Sequence, residues 1–337
     1  MHLSDIDYEL PDELIAQKPV EPRDSSRLLV DRGADAPAHA RMTDIVDHLR
    51  EGDVMVVNDT RVLPARLALQ RSTGGSAEVL LLEPRDEHRR HWEAMVRPAR
   101  KLREGEVLEY FGKRVVRVGR RTDAGDTFEV EVMDDVPLSL IERIGAMPLP
   151  PYIRGSLKDP ERYQTVYSRE PRSAAAPTAG LHFTEELLGR ITAAGVRIER
   201  VELVVGLDTF KPVTEENPLD HPIHTESYTV PAVTVEACAS ARRVVAVGTT
   251  AARALESAAL TGEPSGRTSL FITRGHEWRT VDLLLTNFHM PRTSLLLMID
   301  SFVGPRWRRL YAEAVAERYR FLSFGDAMLL DRSLAGD

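Results

Sequence analysis

The sequence predicts an α/β fold, a mainly parallel-sheet α/β domain over residues 1–60 and 148–337 with a small antiparallel β-barrel domain inserted at 61–147. Three observations carry this. Strand and helix patterns alternate over the second half of the chain. From Arg61 to about Met133, short β-rich runs follow one another with only turns between them. The string Pro148-Leu149-Pro150-Pro151, which cannot continue a helix, marks the return to the first pattern.

Up to Asn58 the elements are short and end in Val54-Met55-Val56-Val57, an apolar run bounded by Gly52-Asp53 and Asn58-Asp59. Such a run reads as a buried strand feeding a polar loop. The inserted part reads as six strands at 62–69, 78–82, 92–96, 107–110, 115–118 and 128–133. The last alternates with period two, and turn signals at 73–75, 103–105 and 124–126 separate several of them. Beyond the prolines, Thr184 caps a helix over 185–194, Gly195 ends it, and 196–205 is the next strand. Val244-Val245-Ala246-Val247 runs into Gly248-Thr249-Thr250 and a helix over 251–260. Residues 271–272 and 281–285 read as strands, and 307–319 as an amphipathic helix.

A chain of 337 residues, 42% hydrophobic and 28% charged, buries a core without staples and is globular rather than disordered. Lone Cys238 excludes an internal disulfide and a thiol-rich metal cage. The first 14 residues carry acids where a secretory leader has a basic region, and the apolar stretches at 283–285 and 295–299 are too short for a membrane span. A cytoplasmic protein with no membrane partner is expected, with a monomer favoured. The formal charge of −8 excludes a uniformly cationic nucleic-acid binder. Residues 61–121 nevertheless hold 15 bases against eight acids, and 122–135 return six acids, so any basic surface is a patch.

Four polar clusters sit at strand ends or in loops, where α/β folds place their sites. Asn58-Asp59-Thr60-Arg61 offers an acid and an Arg to orient a substrate, or a turn held by Asn and Asp side chains. Thr178, Gly180, His182 and Phe183 lie in Ala175–Thr184, whose small residues admit a ligand close to the backbone, and which also reads as a capped helix start. Asp220-His221-Pro222-Ile223-His224-Thr225-Glu226 offers two imidazoles and a carboxylate for acid–base work, for ordering the loop, or for zinc. Against zinc, Pro222 excludes the regular helix that would aim both imidazoles one way, and no metal is expected. Gly248-Thr249-Thr250 opens a helix whose amides and hydroxyls suit a carboxylate or phosphate, with Arg253 one turn in. Thr286-Asn287-Phe288-His289 follows its strand in the same manner. No P-loop or G-x-G-x-x-G occurs at these strand–helix turns.

Together these strings resemble the S-adenosylmethionine:tRNA ribosyltransferase-isomerases of queuosine biosynthesis. The resemblance runs nearly end to end, through Tyr8-Glu9-Leu10-Pro11, Asn58–Arg66, Gly145-Ala146-Met147-Pro148-Leu149-Pro150-Pro151-Tyr152-Ile153, Arg162–Tyr167, Ala176–Phe183, Val247–Thr250, Thr286–His289 and Phe324–Met328. It implies the same interrupted α/β architecture. It also implies S-adenosylmethionine as co-substrate, its ribosyl part passing to 7-aminomethyl-7-deazaguanine at the tRNA wobble position, with epoxyqueuosine-tRNA, adenine and methionine as products.

That chemistry needs a base for the sulfonium-acidified C5′ proton and an acid for the leaving adenine. Asp59, His182, His221, His224, Glu226 and His289 are the catalytic candidates. Thr60, Arg61, Thr178, Gly180, Phe183, Gly248, Thr249, Thr250, Arg253 and Asn287 are the binding candidates, with the methionine carboxylate at Thr249-Thr250 and the sulfonium beside Phe183, Phe210 or Phe288. The chain departs from the family's pattern at Val204, where a His is usual, and at Asp208, where a Gly is usual. These departures leave open a non-tRNA small-molecule acceptor or a lapsed enzyme that only binds.

Overall fold

The computed structural model describes residues 1–122, 125–205, 213–223 and 225–334. The chain opens with strands β1 (Arg27–Val30) and β2 (Ala38–Arg41), then β3 (Val54–Asn58), all of whose residues are buried. A short β4 (Arg61–Val62) leads into the barrel. Its strands are β5 (Arg66–Arg71), β6 (Ser76–Pro84), β7 (His91–Arg97), β8 (Val107–Tyr110), β9 (Lys113–Arg121) and β10 (Phe128–Val132). They close in the order β10-β7-β6-β5-β8-β9, and every pairing is antiparallel.

Alternation explains the barrel. In β7 the side chains of Trp92, Ala94 and Val96 turn inward, and in β10 those of Phe128, Val130 and Val132, to share one core with Leu67, Val79, Leu81 and Val116. Helix α1 (Pro137–Ile144) adds Leu140 and Ile141 to the same core. Outside, Arg117 reaches Glu131 and Arg120 reaches Glu129 across the β9–β10 pair, at 2.6 and 2.9 Å. With Lys113 on Asp134, three of the barrel's bases are thus paired with acids of 122–135.

The chain leaves the barrel where it entered it, Arg66 and Ala146 exchanging backbone hydrogen bonds. The rest runs β11 (Pro171–Ser173), α2 (Glu185–Ala193), β12 (Arg197–Leu203), β13 (Glu226–Thr229), α3 (Ala232–Ser240), β14 (Val244–Val247), α4 (Gly248–Thr261) and β15 (Ser265–Thr268). It closes with β16 (Leu283–Asn287), α5 (Ser294–Val303), α6 (Trp307–Ala316) and β17 (Ala327–Asp331). The large sheet has the order β15-β13-β12-β3-β14-β16-β17-β1-β2. Its centre, β12-β3-β14-β16, is parallel, as is β17 with β1, whereas the flanks and the β16–β17 join are antiparallel.

Helices cover both faces. Leu255 of α4, Leu296 and Phe302 of α5, and Leu310 and Tyr311 of α6 pack on one side. Leu187 and Ile191 of α2 pack on the other, against Met55, Val57, Val245 and Leu285. The expected strand at 271–272 is not formed. The partner of β13 is instead β15, and Phe271 and Ile272 lie in the connector that follows. Apolar Leu295–Ile299 belongs to α5, whose N-cap Thr293 accepts from the Leu296 N–H. Among the described residues no helix is long and apolar enough to cross a membrane.

Candidate active site

The parallel strands β3, β14 and β16 end on one edge of the sheet, where open α/β sheets hold their ligands. The turns after β14 and β16, with the segment Ala175–Ala179, border a cleft of two lobes there. The lobes measure about 670 and 640 Å³, open mouths included, and share Thr249, Thr250 and Leu295.

Gly248 makes the first lobe possible. Its φ of +87° lets β14 turn at once into α4, a conformation in which a side chain is strained. No side chain caps α4. The N–H groups of its first turn, on Gly248, Thr249 and Thr250, therefore keep hydrogen-bonding capacity at the lobe wall. Five further hydroxyl side chains, those of Thr178, Thr286, Thr293, Ser323 and Tyr152, stand among mostly apolar neighbours. Among the described residues lining this lobe there is no Asp, Glu, Lys or Arg. Thr250 Oγ1 is buried and has no hydrogen-bond partner.

His289 is the imidazole of this lobe. Its backbone N–H donates to Tyr311 Oη at 3.0 Å, its carbonyl accepts from Tyr8 Oη, and its Nε2 lies 3.0 Å from Thr286 Oγ1. Burial pushes its pKa down to about 3, so the ring is neutral at physiological pH. His182 stands one layer behind. It is buried, with Nδ1 2.8 Å from Ser26 Oγ and Nε2 3.2 Å from Asn287 Nδ2, and Asn287 Oδ1 in turn lies 3.1 Å from Thr178 Oγ1. Burial first, then the nearby Arg320, lowers its pKa to about 4.

The second lobe carries His221, Glu226 and Arg253 among the apolar side chains of Ile223, Phe271 and Met298. Arg253 Nη1 donates to Glu226 Oε2 at 2.5 Å, and His221 Nδ1 lies 2.8 Å from Glu215 Oε2. The first polar cluster is elsewhere. Asp59 faces Arg200 and Arg169 at 3.6 and 3.8 Å, Arg61 binds Ser168 and Glu161, and Thr60 is buried; none of the three lines either lobe. Burial raises the Asp59 pKa against the opposing pull of those two arginines. Phe183 and Phe288 are both fully buried, the first in the core with Leu187 and the second with its ring against Tyr311, Tyr319 and Phe321 behind the wall of the first lobe. Gly180 serves packing: a Cβ there would come within 2.1 Å of Tyr167 Oη. Val204 lines neither lobe, its neighbours Leu203 and Val205 doing so instead. His224, Asp208 and Phe210 lie outside the described residues.

Sequence reasoning missed Tyr152, Ser323 and Ser26. The first directly follows the proline string read as a connector, and its hydroxyl lies 2.7 Å from Ser323 Oγ. The two serines carry no local signal, since only the tertiary fold brings them to the site. Among the described residues no three His, Cys, Asp or Glu side chains converge as a metal site requires.

A family model described as "Queuosine biosynthesis protein" matches residues 3–330. A protein of Symbiobacterium thermophilum named S-adenosylmethionine:tRNA ribosyltransferase-isomerase is 50% identical over 342 residues, covering 98% of this chain and 100% of the relative. Its namesake from Rubrobacter xylanophilus is 48% identical over 98% of each chain. The crystal structure of an S-adenosylmethionine tRNA ribosyltransferase from Thermotoga maritima aligns over 96% of this chain and 99% of that one, at 36% identity and a TM-score of 0.55. With a family match over nearly all its length, the chain belongs to the queuosine biosynthesis protein family.

Proposed function

We propose that the chain transfers the ribosyl part of S-adenosylmethionine to the aminomethyl group of 7-aminomethyl-7-deazaguanine at the tRNA wobble position and isomerises it. Epoxyqueuosine-tRNA, adenine and methionine are the products, and the cytoplasm is the place of action. The observation that carries this reading is the near-full-length identity, about 50%, to a relative named for that reaction. The geometry supports it. A lobe rich in hydroxyls and free of formal charge suits a nucleoside that brings its own sulfonium and carboxylate.

The first turn of α4 takes the methionine carboxylate through its N–H groups. His289 is the base. A neutral imidazole is present at every physiological pH because burial disfavours the cation. Taking the C5′ proton relocates the positive charge of the sulfonium instead of creating a new one, so the burial penalty applies to both sides of the transfer. Glu226 and His221, on the second lobe, then manage the proton that the attacking amine loses and the adenine gains. Because Val204 lies off both lobes, that departure from the family pattern does not favour a different acceptor.

Adenine and methionine release from S-adenosylmethionine, with tRNA carrying the deazaguanine precursor and with unmodified tRNA, tests the reading. Release with the precursor alone is expected. No release from a preparation that binds both substrates overturns it.

A further inference from the structure

Four buried or half-buried groups, Ser26, His182, Asn287 and Thr178, run in a chain from the core to the wall of the first lobe. Their hydrogens can be placed by elimination. Asn287 Nδ2 lies 3.2 Å from the Leu322 carbonyl oxygen and 3.4 Å from that of Asp326. Turning the amide over would set its own oxygen against both, so Nδ2 stays on that side and Oδ1 faces Thr178. Oδ1 has no hydrogen, so the Thr178 hydroxyl donates to it, at 3.1 Å. Nδ2 also faces His182 Nε2 at 3.2 Å, which must then be the lone-pair nitrogen. The imidazole proton is therefore on Nδ1, donated to Ser26 Oγ at 2.8 Å.

We propose that Asn287, its amide held by the Leu322 and Asp326 carbonyls and met by the His182 lone pair, is a positioning residue: it turns the Thr178 hydroxyl hydrogen away from the cleft, leaving an acceptor-only oxygen that selects a ribose hydroxyl and repels a carboxylate. The inference rests on the reading of the lobe as a nucleoside site and adds its polarity. The sugar sits at the Thr178 end, where the hydroxyl oxygen accepts, and the carboxylate at the α4 end, where no side chain caps the N–H groups of the first turn. A protonated His182 would point an N–H at the Asn287 amide hydrogens. His182 thus touches no reacting atom.

Calorimetric binding of S-adenosylhomocysteine, which keeps ribose and carboxylate but does not turn over, reads the proposal without catalysis. Thr178→Val should weaken binding about tenfold, the scale of one buried hydrogen bond, and Thr178→Ser should restore it. His182→Gln should weaken it less, and adding it to Thr178→Val should bring no further loss, since both act on one bond. A deoxyribose analogue lacking the bonded hydroxyl should bind the wild type and Thr178→Val alike. The nitrogen NMR spectrum of His182 should show its proton on Nδ1. A proton on Nε2, wild-type binding by Thr178→Val, or losses that multiply in the double variant overturns the proposal. Should adenine release fail while these results hold, the functional reading falls and the positioning role stands.

Discussion

His182 and His289 are neutral in the folded chain, with pKa values pushed by burial to about 4 and about 3. In the unfolded chain each binds a proton near pH 6.5. Between these values the unfolded state holds more protons, so each histidine's contribution is intact above about pH 6.5 and falls away as the pH drops. At pH 5 the loss is roughly 2 kcal/mol per histidine. Denaturant midpoints at pH 7.5 and 5 should differ accordingly, and His182→Gln should flatten the slope by about half; an unchanged slope would contradict the burial of a neutral ring. His289→Gln should abolish adenine release while leaving S-adenosylhomocysteine binding within a few-fold of wild type. At this scale the candidates read from the sequence divide into those that line the first lobe and those that do not. Thr178, Thr249, Thr250, Asn287 and His289 do line the first lobe. Asp59 and Arg61 carry equally suggestive side chains yet are engaged by Arg200, Arg169, Ser168 and Glu161, partners 100 or more residues away that no local pattern foretells.

Among elements, α2 shows how local signals become stability. Thr184 Oγ1 accepts from the Leu187 N–H at 3.1 Å and donates to Asp24 Oδ2 at 2.8 Å. Thr184→Ala should cost about 1 kcal/mol, read as a lower denaturant midpoint with unchanged substrate affinity. Fully buried Glu256 of α4 accepts the backbone N–H groups of Arg279, Thr280 and Val281 and so pins the connector ahead of β16. The same principles explain what was legible. Barrel strands announced themselves by alternation and by turns at their ends, and the capped start of α2 by Thr184. Helix α5 did not, because it is buried on nearly every side and its apolar run shows no 3.6-residue stripe. Nor did β15, whose Ser-Gly-Arg-Thr has little strand character and is held at the sheet edge by its pairing with β13.

For the molecule as a whole, the barrel and the sheet have separate apolar cores joined by polar contacts. Glu83 of β6 accepts from Ser227 Oγ of β13 at 2.9 Å and from Arg267 Nη1 of β15 at 2.6 Å. These groups are partly exposed, so Glu83→Ala should change global stability by less than about 1 kcal/mol. It should instead speed amide hydrogen exchange in β13 and β15 while leaving β14 and β16 protected, and equal protection throughout would argue against a local tie. The exchange of backbone hydrogen bonds between Arg66 and Ala146 has a broader consequence. Eighty residues loop out and come home to the same spot, so the host scaffold is spared any gap or strain at the graft. A bridge of a few glycines and serines in their stead should leave a protein that still folds and still binds S-adenosylhomocysteine.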